Sequence, residues 1–475
     1  MALAAMSKRR SANRASAWVV GLALAAATEL AAFPAQAQRS RLEEFIFHRQ
    51  LANGLEVIVA ENHGVPLVTI EFDVRNGAFA QTQGAEGLAH LYEHMFFKAN
   101  VDFPRPDEFL QRAGELGAVF NATTQEERVN YYMTLPSGEL ESGLRLMASA
   151  LRRPLFLREE LERERQVVLG EYDRNESSPF FELERRMAQL LYPNYWSRKN
   201  IIGERGVLQK ATPEQLREIQ RRYYVPNNTA LIVTGDVDPE RVFALASELL
   251  GDWARAPDPF AGFPIPPVPS LQKDTVVFLE RAVGAVTILV QWQGPSVGRD
   301  RAATFAADVF SDALNQPGSR FQRKLVDSGL FQGVTVNYYT LNYAGPITIS
   351  GQTTPERLRE ALRVLNEEIA LLADSGYITQ EELEATKAQR AVSTAFGLDR
   401  PSELAHTLGF WWSVAGLGYY LQYVDEMARQ SLADLGRYAA SYIVGRPRVV
   451  GIMLPPGVKE ELQLREAEVL GKRVP

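Results

Sequence analysis

Six prolines fall within PDPFAGFPIPPVP, residues 257 to 269. No helix or central strand can run through such a stretch, because each proline fixes φ and lacks an N–H donor. It should act as a semi-rigid spacer. The chain is therefore expected to form two bodies of nearly equal length, 42–255 and 272–475, joined by a linker at 256–271. Each is long enough for a core of its own. A weak repeat agrees with this division. Glu159-Glu160-Leu161-Glu162 returns 222 residues later as Glu381-Glu382-Leu383-Glu384. Each half also closes on an aromatic step and a buried-type strand, YYVPNNTALIVTGD (223–236) and YIVGRPRVVGIML (442–454). Matching order and spacing point to duplication.

Hydrophobic periodicity predicts strands at 55–60, 67–74 and 128–135, with Asn53-Gly54 as a hairpin turn before the first. It predicts helices at 86–98, 106–115, 139–152 and 158–176, the last stopped by Ser177-Ser178-Pro179. In the second half it predicts strands at 275–279 and 285–292, then helices at 302–315, 355–373 and 379–396. The expected fold class is α+β: two homologous domains of mostly antiparallel sheet packed with helices.

The first 37 residues follow another logic. Lys8, Arg9, Arg10 and Arg14 precede an apolar run from Ala17 to Ala27, and Pro34-Ala35-Gln36-Ala37 follows. That order is a secretory signal peptide, residues 1–37, with cleavage after Ala37. Eleven apolar residues are too few to cross ~30 Å of hydrocarbon. A mitochondrial presequence is the alternative; the apolar block and the A-Q-A ending favour periplasmic or secreted location. No membrane span is expected after cleavage. A net charge of -7 argues against nucleic acid as a partner. The absence of cysteine excludes disulfides, thiolate metal sites and a Cys nucleophile.

Only five histidines occur in 475 residues, and two of them lie in GLAHLYEHMFFKAN, residues 87–100. On a helix, positions i, i+3 and i+4 share a face. His90, Glu93 and His94 therefore point one way. Two imidazoles one turn apart can grip a zinc ion, and the carboxylate beside them can take a proton from its water. The spacing H-x-x-E-H is the inverzincin motif. A zinc ligand is still missing, and ERERQVVLGEYDRNESSP (162–179) offers Glu164 and Glu171, two helical turns apart on one face. Taken alone, that acidic helix reads as a solvated face.

These stretches, with GELGAVFNATTQEERVNYYMTL (114–135) and the repeated halves, resemble the pitrilysin/insulinase family of zinc peptidases, in the processing-peptidase-like branch. The resemblance spans nearly all of 42–475. It implies one Zn2+ per chain held by His90, His94 and Glu171. It implies that Glu93 is the general base for a zinc-activated water and that Glu164 is a supporting carboxylate. It puts Asn121 and Ala122 on an edge strand that pairs with a peptide substrate. The family's active members also use an Arg and, seven residues on, a Tyr from a later domain. In FQRKLVDSGLFQGVTV (321–336) those places hold Leu325 and Gln332, and no Arg from 272 to 475 has a Tyr seven residues later. A metal-bearing subunit is thus expected, with a homologous partner supplying the Arg/Tyr pair of a closed chamber; the competing explanation is a chain that needs neither residue or is a weak enzyme. The alternatives are a non-catalytic assembly subunit of the same fold and a peptide-binding module with structural zinc. His48, His63 and His406 read as ordinary surface or boundary histidines. Trp411-Trp412 read as packing or a subunit contact. Tyr131 and Tyr132 are expected on the edge strand, where one of them lines the substrate groove or, equally, they pack in the core.

Overall fold

The computed structural model describes residues 42–397 and 400–472. The signal peptide expected at 1–37 lies outside these residues. Two sheets organise the chain. The first contains β1 (Ile46–Gln50), β2 (Glu56–Glu61), β3 (Leu67–Val74), β4 (Val119–Thr124), β5 (Val129–Pro136) and β6 (Thr229–Gly235), in the order β1-β2-β6-β3-β5-β4. The second contains β7 (Thr275–Glu280), β8 (Val286–Gln293), β9 (Gly333–Tyr338), β10 (Pro346–Thr353) and β11 (Val449–Leu454), in the order β7-β11-β8-β10-β9. Remove β1 and the two orders coincide. Each sheet has one parallel pair, β2 with β6 and β7 with β11; the other pairs are antiparallel. This is the α+β fold of mostly antiparallel sheet expected from the sequence.

Local sequence explains the strands. In β3, Val68, Ile70, Phe72 and Val74 alternate into the first core, as a period of two requires. Thr69, Glu71 and Asp73 face the other way, yet they are fully buried. β6 is buried along its length and apolar from Ala230 to Val233, the mark of a strand covered on both faces. The turn before β2 forms at Asn53-Gly54, where Gly54 takes a positive φ of 92°. No helix or strand lies between Leu250 and Thr275, the Pro-rich stretch included.

The longer helices are α1 (Leu88–Phe96), α2 (Glu108–Glu115), α3 (Leu140–Arg152), α4 (Arg158–Ser177), α5 (Pro179–Leu191), α6 (Pro213–Tyr223) and α7 (Pro239–Leu250) in the first half. The second half has α8 (Arg301–Asn315), α9 (Leu358–Leu371), α10 (Gln380–Phe396), α11 (Pro401–Val414), α12 (Leu417–Ala428) and α13 (Leu432–Tyr442). Ser177-Ser178-Pro179 does end α4, but Ser178 then caps a new helix, its side chain accepting from the Phe180 N–H. That helix, α5, does not cover its own sheet. Leu183, Met187 and Leu191 pack on Val277, Leu279, Val449 and Met453 of the second sheet. In exchange, Leu404, Ala405, Leu408 and Trp412 of α11 pack on Ile58, Ala60, Ala230 and Ile232 of the first. Each large apolar side chain buried this way contributes about 1.5–3 kcal/mol. Small residues permit the approach: a Cβ on Gly409 of α11 would come within 2.1 Å of Asp73 Oδ2.

Two expectations need correction, those for the tyrosine pair and for His406. Tyr131 and Tyr132 sit on β5, which has β3 on one side and β4 on the other; the edge strand is β4. Tyr131 is a core residue, stacked on Phe96 at 3.7 Å and sharing a 2.5 Å hydrogen bond with the Tyr224 hydroxyl. His406 is no plain boundary histidine, because its Nδ1 lies 2.5 Å from the buried Glu71 carboxylate. His48 and His63 are on the surface but also meet acids, Glu56 and the pair Glu61 and Asp236. Trp411 and Trp412 are packing residues: Trp412 is buried under the Arg75 guanidinium, and Trp411 stacks on Tyr419.

Candidate metal centre

Helix α1 starts at Gly87, whose φ is 88° and whose N–H donates to Gln81 Oε1 at 2.8 Å. A side chain here is also excluded by space, since a Cβ would sit 2.7 Å from the Gly203 Cα. From that fixed start, Leu88, Leu91, Tyr92, Met95 and Phe96 turn into the core. Tyr92 stacks on Tyr224 at 4.1 Å. The opposite stripe is left to His90, Glu93 and His94.

Helix α4 lies across that stripe and is pinned to it. The Glu160 carboxylate accepts the Ala99 N–H just beyond α1, at 3.3 Å. Lys98 Nζ meets Glu164 Oε1 at 2.7 Å. His94 Nδ1 meets Glu164 Oε2 at 3.3 Å. Glu171 then reaches both imidazoles, with its Oε2 3.6 Å from His90 Nε2 and 3.6 Å from His94 Nε2. The donor atoms of His90, His94 and Glu171 all lie within 4.8 Å of one another. Zinc bonds of ~2.0–2.2 Å in a tetrahedron place neighbouring ligand atoms about 3.3–3.6 Å apart. Two imidazole nitrogens and one carboxylate oxygen are also the donor types of a catalytic zinc, which keeps its fourth position open. The residues therefore fit the ion. With Glu164 on its Nδ1, His94 turns Nε2 toward Glu171 as a nitrogen able to ligate.

Burial, and secondarily His94, pushes the His90 imidazole down to about 4, so at neutral pH it is unprotonated and able to ligate. Burial also works against a proton on His94, but Glu164, Glu93 and Glu171 outweigh it and raise this group. Burial pushes Glu164 up, and the bonds from His94 and Lys98 overcome that and hold it below its ordinary value. Glu93 is raised by burial, with the Thr124 hydroxyl pulling the other way.

Edge strand β4 completes the cleft, which has a volume of about 620 Å³. Ala122 and Thr124 point inward and are buried; Asn121 and Thr123 are exposed. The Ala122 N–H donates to the Asn121 side-chain oxygen at 2.9 Å. An unpaired strand edge offers amides and carbonyls to an added strand. Asn121 and Ala122 thus lie on the free edge beside the cluster. Sequence reasoning missed three contributors: Lys98, Glu160 and Thr124. The first two follow from the crossing of α1 and α4, and no spacing rule encodes it. Leu325 and Gln332 have no part here. Leu325 is buried in the second core, and Gln332 is an exposed residue preceding β9.

Comparison with known proteins bears on the family and the fold. A family model described as Insulinase (Peptidase family M16) matches residues 56–201. A second, described as Peptidase M16 inactive domain, matches residues 210–390. The zinc protease PqqE of Helicobacter pylori is 26% identical, over 82% of this chain and 89% of its own. An uncharacterized zinc protease of Rickettsia felis is 24% identical, over 72% of this chain and 81% of its own. Among solved structures, a protease from Helicobacter pylori aligns with a TM-score of 0.77 at 22% identity, over 86% of this chain and 99% of that one. The periplasmic protease PqqL of Escherichia coli aligns with a TM-score of 0.73 at 18% identity, over 90% of this chain but 49% of that one. At such identities the solved structures speak for the fold alone. The two family models span both halves of the molecule, and the chain belongs to the insulinase (M16) family of peptidases.

Proposed function

We propose that this chain is an exported zinc metalloendopeptidase that cleaves peptides or flexible protein segments, working as the metal-bearing subunit beside a homologous partner. The convergence of His90, His94 and Glu171 beside a free strand edge carries the reading. One Zn2+ would be held by these three residues; bound there, it supplies Lewis acidity to a water and to the scissile carbonyl.

The chain's own residues do the rest. β4 takes the peptide backbone as an added strand at Asn121–Ala122, the Ala122 N–H exchanging the Asn121 oxygen for a substrate carbonyl. Glu93 takes the proton of the attacking water and passes it to the leaving amine. Its raised proton affinity suits both transfers. Glu164, steadied by Lys98, holds His94 in orientation.

The partner is supported by two observations. Leu325 and Gln332 stand where the resemblance implies an Arg and a Tyr, and the chain covers 49% of the E. coli protease and 95% of its first half. Export is supported by residues 1–37 and by the periplasmic description of that relative. Among the described residues no helix is long and apolar enough to cross a membrane. A non-catalytic subunit is the second reading, favoured by the same missing Arg/Tyr pair.

The test is hydrolysis of internally quenched peptides by the mature chain, with and without a homologous chain carrying R-x6-Y. Wild type should cleave when paired, and Glu93→Gln should cleave nothing while keeping its zinc. Zinc-loaded wild type that cleaves no peptide with its partner refutes the peptidase reading.

A further inference from the structure

Thr124 connects two parts of the site, the strand edge and the base. Its Oγ1 donates to Glu93 Oε2 at 2.9 Å. It sits two residues beyond Ala122 on β4, so its side chain shares the inward face of the strand. It is 8% exposed. Glu93 is a long side chain whose carboxylate can turn about several torsions, whereas a β-branched threonine is stiff at χ1. The rigid member of this pair therefore aims the flexible one.

The mount of Thr124 is itself held from both halves of the molecule. In the β4–β5 turn, the buried Glu127 carboxylate accepts the N–H groups of Asn342 and Tyr343, at 2.7 and 2.8 Å. Arg128 donates to the His406 carbonyl at 2.9 Å and to Asp73 at 3.2 Å. The Phe79 N–H donates to the Glu126 carbonyl at 2.8 Å. The second half supplies none of the clustered donors, yet its 342–343 loop and α11 clamp the turn that ends β4.

From this geometry we propose that Thr124 is a positioning residue: it locks one oxygen of Glu93 to the substrate-binding strand and leaves Oε1 to exchange the proton. The proposal rests on the peptidase reading above. Peptide and base then share one support. Any shift of β4 carries the scissile carbonyl and the carboxylate together, and their register is kept. A misplacement of about 1 Å can cost ~10²-fold in rate, so such a common support has a measurable consequence.

The experiment compares wild type, Thr124→Val, Thr124→Ala and Thr124→Ser in the mature chain with its partner, measuring kcat, KM and zinc content. Thr124→Val should lower kcat about 10- to 100-fold with KM changed less than about threefold and one zinc retained. Thr124→Ser, which keeps the hydroxyl, should stay within about threefold of wild type. If Thr124→Val does not fold, the gap between Thr124→Ser and Thr124→Ala reads the same quantity. Wild-type kcat in Thr124→Val or Thr124→Ala, or an equal loss in the serine variant, overturns the proposal while the peptidase reading stands. A wild-type chain that cleaves nothing, tested beside Glu93→Gln, overturns both.

Discussion

The two halves build the same seat and furnish it differently. In each, the first helix after β3 or its counterpart β8 crosses the second of the two helices that follow the last hairpin: α1 over α4, and α8 over α10. Moving 222 residues on from His90, Glu93, His94, Glu164 and Glu171 arrives at Asp312, Asn315, Gln316, Thr386 and Ser393. All five line one cavity of about 200 Å³. There the Asp312 carboxylate is taken by Arg390, at 2.6 Å, and Gln316 donates to Gln389 at 2.6 Å. Asp308, a turn earlier on α8, is half-buried and accepts from the Tyr423 hydroxyl at 2.8 Å. The second seat is neutralised from within. In the first, two imidazoles and three carboxylates converge, and the one lysine among them is spent on Glu164. The crossing of helices is thus a general scaffold, and the donor set decides whether it is a site.

That contrast can be broken from either side. The largest effect belongs to the first seat. His94→Ala should empty the zinc site and lower peptide hydrolysis by about 10³-fold or more, read by metal analysis and kcat/KM. Glu164→Ala removes an orienting partner and not a ligand. Zinc affinity should fall by about 10- to 100-fold, measured by competition with a chelator; an unchanged affinity would mean that His94 needs no second support.

In the second seat the expected signatures are in stability. Burial raises the Asp308 carboxyl from 3.8 to about 7, against the pull of Tyr423 and Arg390. The folded chain keeps this proton up to about pH 7, and the unfolded chain releases it near pH 4. The stability that this group contributes is whole below pH 4 and is lost as pH rises through 7. Asp308→Asn should flatten that part of the pH–Tm curve. Smallest of all, Asp312→Asn should leave zinc content and kcat/KM within about twofold of wild type and lower Tm by a few degrees, because Arg390 loses its partner. Loss of zinc in that variant would mean that the two seats are coupled, contrary to the division drawn here.

Sequence made some of this legible because local pattern carries it. The period of α1 isolates His90, Glu93 and His94 on one stripe, and β3 was readable over its full length from its alternating residues. Glu171 required the resemblance, since spacing alone left α4 a solvated face. Periodicity reports which face is buried but not what buries it. For that reason the exchange of α5 and α11 between halves was invisible, as each meets a sheet more than 80 residues away. The same limit hid the bonds of Glu71 with His406 and of Thr124 with Glu93. It also took the strand of Tyr131 and Tyr132 for the edge of the sheet: an inner strand under helices and an edge strand share the same alternation.

Metal analysis of the purified mature chain tests the central claim most directly. The expected result is one zinc per chain in wild type and in Asp312→Asn, and none in His90→Ala. A zinc-free wild type after loading, or zinc that survives His90→Ala, would contradict it.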